Sequence, residues 1–257
     1  MPELEVRELS EVSDLRSASE LFDRIWRAER IFSVEVLRAL ATHGNAVLGA
    51  FRDGRMVGAQ VGFLGREGGE LLLHSHVTGI EPSLQHQGVG AALKWAQRDW
   101  ALTRGIELVT WTFDPMIARN AYFNLRKLGA RTDRFLRDFY GPMGDVFSAG
   151  ERSDRLEVSW RLRAPWVERA AAGDHGSESL GAPALLDEED GRPRPRASDA
   201  RRALVRVPND YLELRERDPD LARAWRDAVA EALEEAFGRG YAAVDFLRDG
   251  AYVLERT

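Results

Sequence analysis

Hydrophobic and polar positions at the start of the chain follow first a strand-like and then a helix-like spacing. Apolar and charged residues alternate over residues 4–9, which predicts a short strand with one buried face. Apolar residues then recur every three or four positions in two further segments, which predicts two helices. Ser13 or Asp14 can cap the first helix, and Ser33 can begin the second, which should end before Gly44.

A hairpin and a buried strand come next. Residues 46–64 form two strand-like runs around Asp53-Gly54, a dipeptide that favours a two-residue hairpin turn. Gly68-Gly69 marks the following turn, and residues 71–78 are apolar enough for a buried strand. On a regular strand, three polar side chains of this run share one face, namely His74, His76 and Thr78.

Helical spacing returns at residues 89–104, and Gly105 stands where a helix commonly ends. Residues 106–113 then predict another buried strand, and residues 116–128 predict a helix that Gly129 ends. We expect the helix at 89–104 to pack on the sheet through one stripe of small and apolar residues. The members of this stripe are Val89, Ala92, Leu93, Ala96, Trp100 and Thr103.

The C-terminal part of the chain has a different pattern. Residues 155–163 alternate as one more strand, whereas residues 164–200 lose periodicity and collect Gly, Pro, Ser and mixed charge, which predicts a long connection that is mobile in part. A strand at 203–208, a long helix opened by Pro219 and a hairpin around Asp249-Gly250 follow. This tail repeats the element order of the chain's beginning. It is either a partial second copy of that unit or an instance of a common hairpin turn.

Composition narrows the class of protein. The 257 residues are 44% apolar and 30% charged, as in ordinary globular proteins. The net charge of −6, with both signs interspersed, disfavours a nucleic-acid surface. The chain has no cysteine, which excludes disulfides and thiolate ligands, and we expect no metal site. No apolar run reaches the ~20 residues that span a bilayer, so we expect a cytoplasmic protein without a membrane partner.

The junction between the strand at 71–78 and the helix at 89–104 carries the clearest chemical signal. A glycine-bearing turn at the start of a helix directs several backbone N–H groups into one concavity, where the positive end of the helix dipole favours an anion. Gly88 and Gly90 have no Cβ, and small Ala91 and Ala92 leave the first turn uncrowded. A phosphate group is therefore the expected ligand.

This junction resembles the acyl-CoA signature of the GNAT superfamily of N-acyltransferases. Five residues match that pattern at the right spacing, Ile80, Pro82, Gln85, Gly88 and Gly90. The resemblance implies an α/β fold with a mixed, mainly antiparallel sheet, splayed central strands and flanking helices. We expect this acyltransferase domain over residues 1–163, the connection over 164–200 and a strand-helix-hairpin extension over 201–257. The extension would cover a sheet edge, complete the acceptor cleft or mediate a homodimer.

The resemblance also implies a set of residues that bind the co-substrate, acetyl-CoA or another acyl-CoA. The diphosphate would bind to main-chain groups of the turn, and the pantetheine arm would pair with the preceding strand where that strand splays from its neighbour. The residues expected to bind acyl-CoA are Thr78, Gly79, Ile80, Gln85, His86, Gln87, Gly88, Val89, Gly90, Ala91 and Asn120.

Catalytic residues are less well specified. His76 stands where many family members have an acidic residue that deprotonates the amine, and an imidazole can take that role; His74 is the second candidate. Residues 118–129 resemble the family's later helix, but Asn120 is two positions late and Leu125 occupies the usual Tyr position. Tyr122 is therefore the candidate general acid, with Tyr140 as its alternative. Three residues at the end of the strand at 106–113 are acceptor-side candidates by position, Trp111, Phe113 and Asp114.

The function expected from this resemblance is transfer of an acyl group, most simply acetyl, from CoA to a primary amine. The acceptor, a small molecule or a peptide, is not identified by the sequence. A non-catalytic acyl-CoA-binding or regulatory module is the alternative, since the Asn and Tyr positions depart from the family pattern. A dinucleotide-dependent oxidoreductase is disfavoured, because the turn lacks the third glycine of that fingerprint and no acidic residue ends a following strand as required.

Overall fold

The structure, a computed structural model, describes residues 4–27, 31–141, 151–176 and 181–256. The chain forms two compact units, the first ending at Trp111 and the second beginning at Thr112. These limits differ from the sequence-based division at residues 163 and 200, which stays a prediction. Each unit is described by itself.

The first unit has the predicted order of strand, two helices, hairpin, strand, helix and strand. Its sheet has the order β1-β2-β3-β4-β5, in which all neighbours are antiparallel except β4 and β5, which are parallel. The short 3-10 turn Pro82–Leu84 lies between β4 and α3. The elements are β1 (Leu4–Glu8), α1 (Val12–Trp26), α2 (Val34–Thr42), β2 (Ala46–Arg52), β3 (Arg55–Glu67), β4 (Glu70–Ile80), α3 (Val89–Thr103) and β5 (Leu108–Phe113).

The starts of the first two helices test the predicted caps. The Ser33 side chain accepts a hydrogen bond from the Val36 amide and caps α2, as predicted. The predicted cap of α1 is wrong, because that helix already begins at Val12 with Glu11 as its N-cap. Asp14 lies in the first turn instead, where its carboxylate accepts a hydrogen bond of 2.7 Å from the Arg7 guanidinium.

The core of the first unit lies on both faces of its sheet. Helices α1 and α2 cover one face, where Phe22 and Leu37 pack with Val61 in a cluster of buried side chains. Helix α3 covers the other face so closely that a Cβ at Gly58 would lie 3.0 Å from the side chains of Val89 and Leu93. Residues on β3 therefore alternate between two buried environments, which explains why this strand is apolar along most of its length.

The buried stripe of α3 is not the predicted one. Val89, Leu93 and Trp100 are buried as expected, but Ala92 and Ala96 are only half-buried. Lys94 and Gln97 take their place inside the protein, together with Ala101. Because polar residues were assigned to the solvent face, apolar periodicity alone placed the contact surface about one position away from its true centre.

In the second unit the strands have the order β7-β6-β11-β12-β10-β8-β9. Its elements are α4 (Ala118–Ala121), the π-helical segment Tyr122–Lys127, β6 (Arg131–Leu136), β7 (Arg155–Arg161), α5 (Pro165–Ala171), β8 (Ala184–Glu189), β9 (Arg192–Pro195), β10 (Arg202–Arg206), α6 (Tyr211–Arg217), α7 (Pro219–Gly238), β11 (Tyr241–Leu247) and β12 (Ala251–Arg256). The described part of the second unit contains five elements that the sequence did not predict, and these are β6, α5, β8, β9 and α6.

Residues 164–200, expected to be a long connection, contain α5 and the hairpin of β8 and β9 in their described part. These short elements escape detection because β9 has the sequence Arg-Pro-Arg-Pro, whose composition is typical of a loop. The tail has the predicted strand, helix and hairpin, with Asp218 capping α7 and Pro219 in its first turn. Its first strand lies beside β12, whereas β1 lies beside β2. The partial second copy of the unit stays a prediction.

A buried ion cluster joins the elements of the second unit. Arg226 on α7 donates to the carboxylates of Asp114 and Glu151, each at 3.1 Å, and its Nε donates to the Tyr211 hydroxyl at 3.2 Å. The Asp114 carboxylate also accepts from the Met116 amide. Asp114 is thus engaged in holding α7 against the segment that follows β5, and its role on the acceptor side stays a prediction.

Candidate functional site

Strand β4 separates from β5 partway along its length. The two strands pair only at Leu72–Leu108, Leu73–Val109 and His74–Thr110. Beyond His74, within the described part of the chain, no strand pairs with this side of β4. Backbone N–H and C=O groups of residues 75–80 on that side are therefore free to pair with an extended ligand, as in the addition of a strand to a sheet edge. The expected splay of the central strands is confirmed.

A β-bulge interrupts β4 in the same segment. Val61 is opposite Val77 and Gly62 is opposite Ser75, so His76 is an extra residue without a partner on β3. The Gln60 amide nitrogen donates to Ser75 Oγ at 3.3 Å and to Thr78 Oγ1 at 2.9 Å, which places these two side chains on one face. The prediction that Thr78 shares a face with His74 and His76 is wrong, because a bulge inverts the alternation that follows it.

His76 lies in a group of aromatic rings that cover part of its side chain, and the rest of the side chain is exposed to solvent. Its ring centroid is 5.8 Å from that of Phe32, 5.6 Å from that of Phe63 and 6.1 Å from that of His74. Partial burial lowers the pKa of His76 below the ordinary value of 6.5, because the surrounding rings solvate an imidazolium poorly. The neutral imidazole, which can accept a proton, therefore predominates at neutral pH.

His74 is less suited to proton transfer. Its Nδ1 lies 3.2 Å from Thr110 Oγ1, and the ring is half-buried. Burial, followed by the charges of His76 and Lys94, lowers the pKa of His74 to about 4. At neutral pH this histidine is therefore an uncharged member of the aromatic group with a hydroxyl partner.

The two glycines of the signature serve different geometric needs. Gly88 is the N-cap of α3 and has φ +83°, a conformation that side chains with a Cβ rarely adopt. Gly90 instead allows a close approach, because a Cβ there would lie 2.8 Å from Ile80 Cδ1. The start of α3 is thus packed directly on the end of β4.

The turn before α3 and the first turn of the helix present free backbone donors. Among the described residues, no acceptor lies in hydrogen-bonding range of the main-chain N–H groups of His86, Gly88 and the first three helical residues, Val89–Ala91. Gln85 to Gly88 are solvent-exposed. Because α3 runs for 15 residues, the positive end of its dipole adds to these donors, and the junction suits an anionic group such as a diphosphate.

The Gln87 side chain holds this turn in place. Its Nε2 donates to the Ser83 carbonyl at 3.2 Å, and its Oε1 accepts from Arg52 on β2 at 3.0 Å. The structure therefore brings together, within the first unit, the expected binding residues from Thr78 to Ala91 and the candidate base His76. The amide of Gln87 is a structural support for the turn in addition to any contact through its main chain.

Asn120 and Tyr122 belong to the second unit. The Asn120 amide donates to the Ile117 carbonyl, and its side chain is exposed. Tyr122 opens the π-helical segment, and its hydroxyl accepts from Arg248 Nε at 3.3 Å. The roles of both residues stay predictions.

Comparison with solved structures assigns the fold. Three bacterial proteins described as acetyltransferases align over most of their own length. YncA from Salmonella typhimurium, described with its cofactor acetyl-CoA, has a TM-score of 0.53 at 15% identity and covers 70% of this chain and 99% of its own. A protein from Acinetobacter baylyi ADP1 has a TM-score of 0.53 at 13% identity over 64% of this chain and 95% of its own. An N-acetyltransferase from Staphylococcus aureus Mu50 has a TM-score of 0.51 at 11% identity over 63% and 99%.

The chain has the GNAT fold. No protein-family model and no curated protein matches the sequence, so the likeness is one of structure. The splay of β4 from β5 and the junction with α3 agree with the GNAT fold expected from the sequence. The predicted fold class is confirmed.

Sequence reasoning missed three residues that lie against this site. Lys94 and Gln97 on α3 and Gln60 on β3 are buried beside Ser75 and Thr78. We name the group of Gln60, Ser75, Thr78, Lys94, Gln97 and Trp111 the Lys94 cluster. The available signal was helical spacing, because Gln97 continues the series Val89, Leu93 and Trp100 at intervals of three and four residues.

Within ranges 4–27, 31–141, 151–176 and 181–256, no group of three or more His, Asp or Glu is arranged to hold a metal ion. No helix in the same ranges is long and apolar enough to cross a membrane.

Proposed function

We propose that the protein is an acyl-CoA-dependent N-acyltransferase that uses acetyl-CoA and transfers its acetyl group to a primary amine. One observation carries this proposal: the free main-chain donors of His86 and residues 88–91 directly follow the unpaired edge of β4. An anion site continuous with a strand edge suits a molecule that has a diphosphate at one end and an extended amide-bearing arm at the other.

Each proposed contact uses groups of this chain. Main-chain N–H groups of His86 and of Gly88 to Ala91 bind the diphosphate, and the backbone of Thr78 to Ile80 pairs with the arm. Bound acetyl-CoA supplies the activated acyl group. His76, neutral near pH 7, accepts the proton of the attacking amine, and Tyr122 donates a proton to the departing thiolate. The acceptor is a small-molecule or peptide amine.

A non-catalytic acyl-CoA-binding module is the second candidate. The departure from the family pattern favours it, since Leu125 occupies the position at which the family usually has Tyr. A panel of primary amines, with free CoA thiol as the readout, separates the two functions. Thiol release above the background of hydrolysis by any amine removes the second candidate.

Replacing Gly88 by Asp should abolish tight binding of acetyl-CoA while the protein stays folded. Asp tolerates positive φ better than most residues, so the variant should fold at a moderate cost in stability. The new carboxylate would accept from the free amides and repel the diphosphate, and we expect at least a roughly tenfold loss of affinity by calorimetry.

Gly54→Asp is the matched control, because Gly54 has φ +72° and open space around its Cβ position in the β2–β3 turn. This variant should bind acetyl-CoA as the wild type does. Equal affinity of Gly88→Asp and wild type would show that the diphosphate binds elsewhere. No binding of acetyl-CoA by the wild type would remove the proposed function.

A further inference from the structure

Lys94 is buried without a carboxylate partner. Its side chain is 5% exposed, and its Nζ donates to Ser75 Oγ at 2.8 Å and to Gln97 Oε1 at 3.4 Å. The same ammonium lies 3.8 Å from the centroid of the Trp111 ring. Two hydrogen bonds and one aromatic face thus surround the ammonium, and no ion pair to Lys94 is found in the described part of the chain. A buried charged group without an opposite charge destabilises the folded protein. Buried ionisable groups of this kind are therefore found most often at functional sites.

The choice of lysine at this position is unusual for this chain. Of its 36 basic residues, 34 are arginine, and Lys94 and Lys127 are the two lysines. Arginine stays charged in proteins, whereas a lysine can become neutral when it is buried. The equally buried Arg226 pairs with the carboxylates of Asp114 and Glu151, whereas the lysine occupies a buried position at which no carboxylate partner is found among the described residues.

The environment of Lys94 explains its protonation. Gln60 on β3, Ser75 on β4, Gln97 on α3 and Trp111 on β5 face it, and none of these side chains carries a charge. His74, on the far face of β4, is neutral at the pH of interest. Burial lowers the pKa of Lys94 from 10.5 to about 7, because no opposite charge compensates for lost hydration.

The Lys94 cluster spans the bulge of β4. Ser75 precedes the bulged His76, and Thr78 follows it; Gln60 Nε2 donates to both hydroxyls and lies 3.3 Å from Gln97 Oε1. Lys94 closes the network between Ser75 and Gln97. The side chains on both sides of the bulge are therefore tied to α3, the helix whose first turn provides the free amides.

We propose that Lys94 is a positioning residue: through Ser75, Gln60 and Gln97 it fixes the bulged segment of β4 on α3, and thereby sets the unpaired edge of β4 in register with the anion site. This inference rests on the proposed function, and it adds Lys94 and its hydrogen-bond network to the residues that position acetyl-CoA. Lys94 does not contact the co-substrate in this scheme; it acts on the backbone of residues 75–80.

Binding of two probes tests this role. Acetyl-CoA reaches both the anion site and the edge of β4, whereas 3′,5′-ADP, the adenosine end of CoA with the first of its two diphosphate phosphates, reaches the anion site without the arm. In Lys94→Met we expect affinity for acetyl-CoA to fall about tenfold at pH 6, with that for 3′,5′-ADP changed less than about twofold. Loss of one proton removes the charge that strengthens the hydrogen bonds from Lys94 to Ser75 and Gln97, so the wild type should approach the variant, and the tenfold ratio should shrink to about threefold at pH 8.5.

Ser75→Ala should reproduce the loss for acetyl-CoA, Ser75→Thr should keep wild-type affinity, and the double variant with Lys94→Met should be no weaker than either single variant. Asp99→Asn, an exposed change on the same helix, is the control and should bind both probes normally. Three results would each overturn the positioning role. Lys94→Met could bind acetyl-CoA as tightly as the wild type, it could lose affinity equally for both probes, or the ratio of wild-type to variant affinity could be independent of pH. If the wild type binds neither acetyl-CoA nor 3′,5′-ADP, the proposed function itself is overturned.

Discussion

The His76→Gln variant should turn over acetyl-CoA with an amine acceptor about a hundredfold more slowly than the wild type at pH 7, since a positioned general base contributes about 10²–10⁴ in rate. Glutamine keeps a similar volume among the rings of Phe32 and Phe63 but does not take up a proton. KM for acetyl-CoA should change less than about threefold, because His76 lies on the bulge rather than in the anion site. Release of free thiol under steady-state conditions measures both constants.

The pH profile gives a second readout of the same assignment. The pKa of His76 is lowered by burial, so the wild-type rate should rise as pH increases through a value below 6.5 and then reach a plateau. His76→Gln should lack that rise. His43→Gln, which changes an exposed histidine at the end of α2, should match the wild type. If His76→Gln retains more than about a third of wild-type turnover, another group is the base.

The strand–turn–helix junction was predictable because its requirements are local. A buried strand, a proline, a glycine at positive φ and a helical apolar series occur within about 35 residues, and each depends on its near neighbours in sequence. The same holds for the Asp53-Gly54 hairpin and for the Ser33 cap. Backbone donors at Val89 to Ala91 follow from any helix start, so the anion site needed no tertiary information.

The bulge at His76 could not be predicted, because it is a property of the pairing between β3 and β4. Nothing in residues 71–80 marks the extra residue, and only the register of Val61 and Gly62 on the partner strand reveals it. One unpaired residue moves Thr78 to the face of Ser75. Assignment of polar side chains to faces by period two fails from that point onward.

Lys94 shows the complementary failure. Because Lys94 is charged, the sequence pattern assigns it to the solvent face of α3. Two of the buried residues of α3 are polar, so the apolar residues alone mark only part of its contact surface. The geometry that offsets burial, from Ser75 on β4 to Trp111 on β5, involves residues 17 to 19 positions away. Positions where local pattern and burial disagree are expected at functional sites.

The Lys94→Met variant should be more stable than the wild type at pH 6 and should lose most of that advantage by pH 9. The pKa of Lys94 is about 7 when folded and 10.5 as the ordinary value, so between these pH values the unfolded chain binds more protons. Wild-type stability therefore rises with pH across this window, by roughly 1.4 kcal/mol per unit, or about 3 kcal/mol from pH 6 to pH 9. Methionine has no such dependence, and it fills a similar volume at the cost of two hydrogen bonds.

Urea unfolding at pH 6 and pH 9 measures this difference, with Gln97→Met as the matched control. Gln97→Met removes polar contacts of the same cluster but leaves the amine of Lys94 in place, so its stability relative to wild type should change little with pH. In protein with ¹³C-labelled lysine, the variant Lys127→Arg leaves Lys94 as the one lysine signal, which should titrate near pH 7. Parallel stability curves for Lys94→Met and wild type would mean that Lys94 stays charged throughout. The polar groups around Lys94 would then stabilise a buried ammonium without a carboxylate. In that case the affinity for acetyl-CoA should also lose the pH dependence expected above.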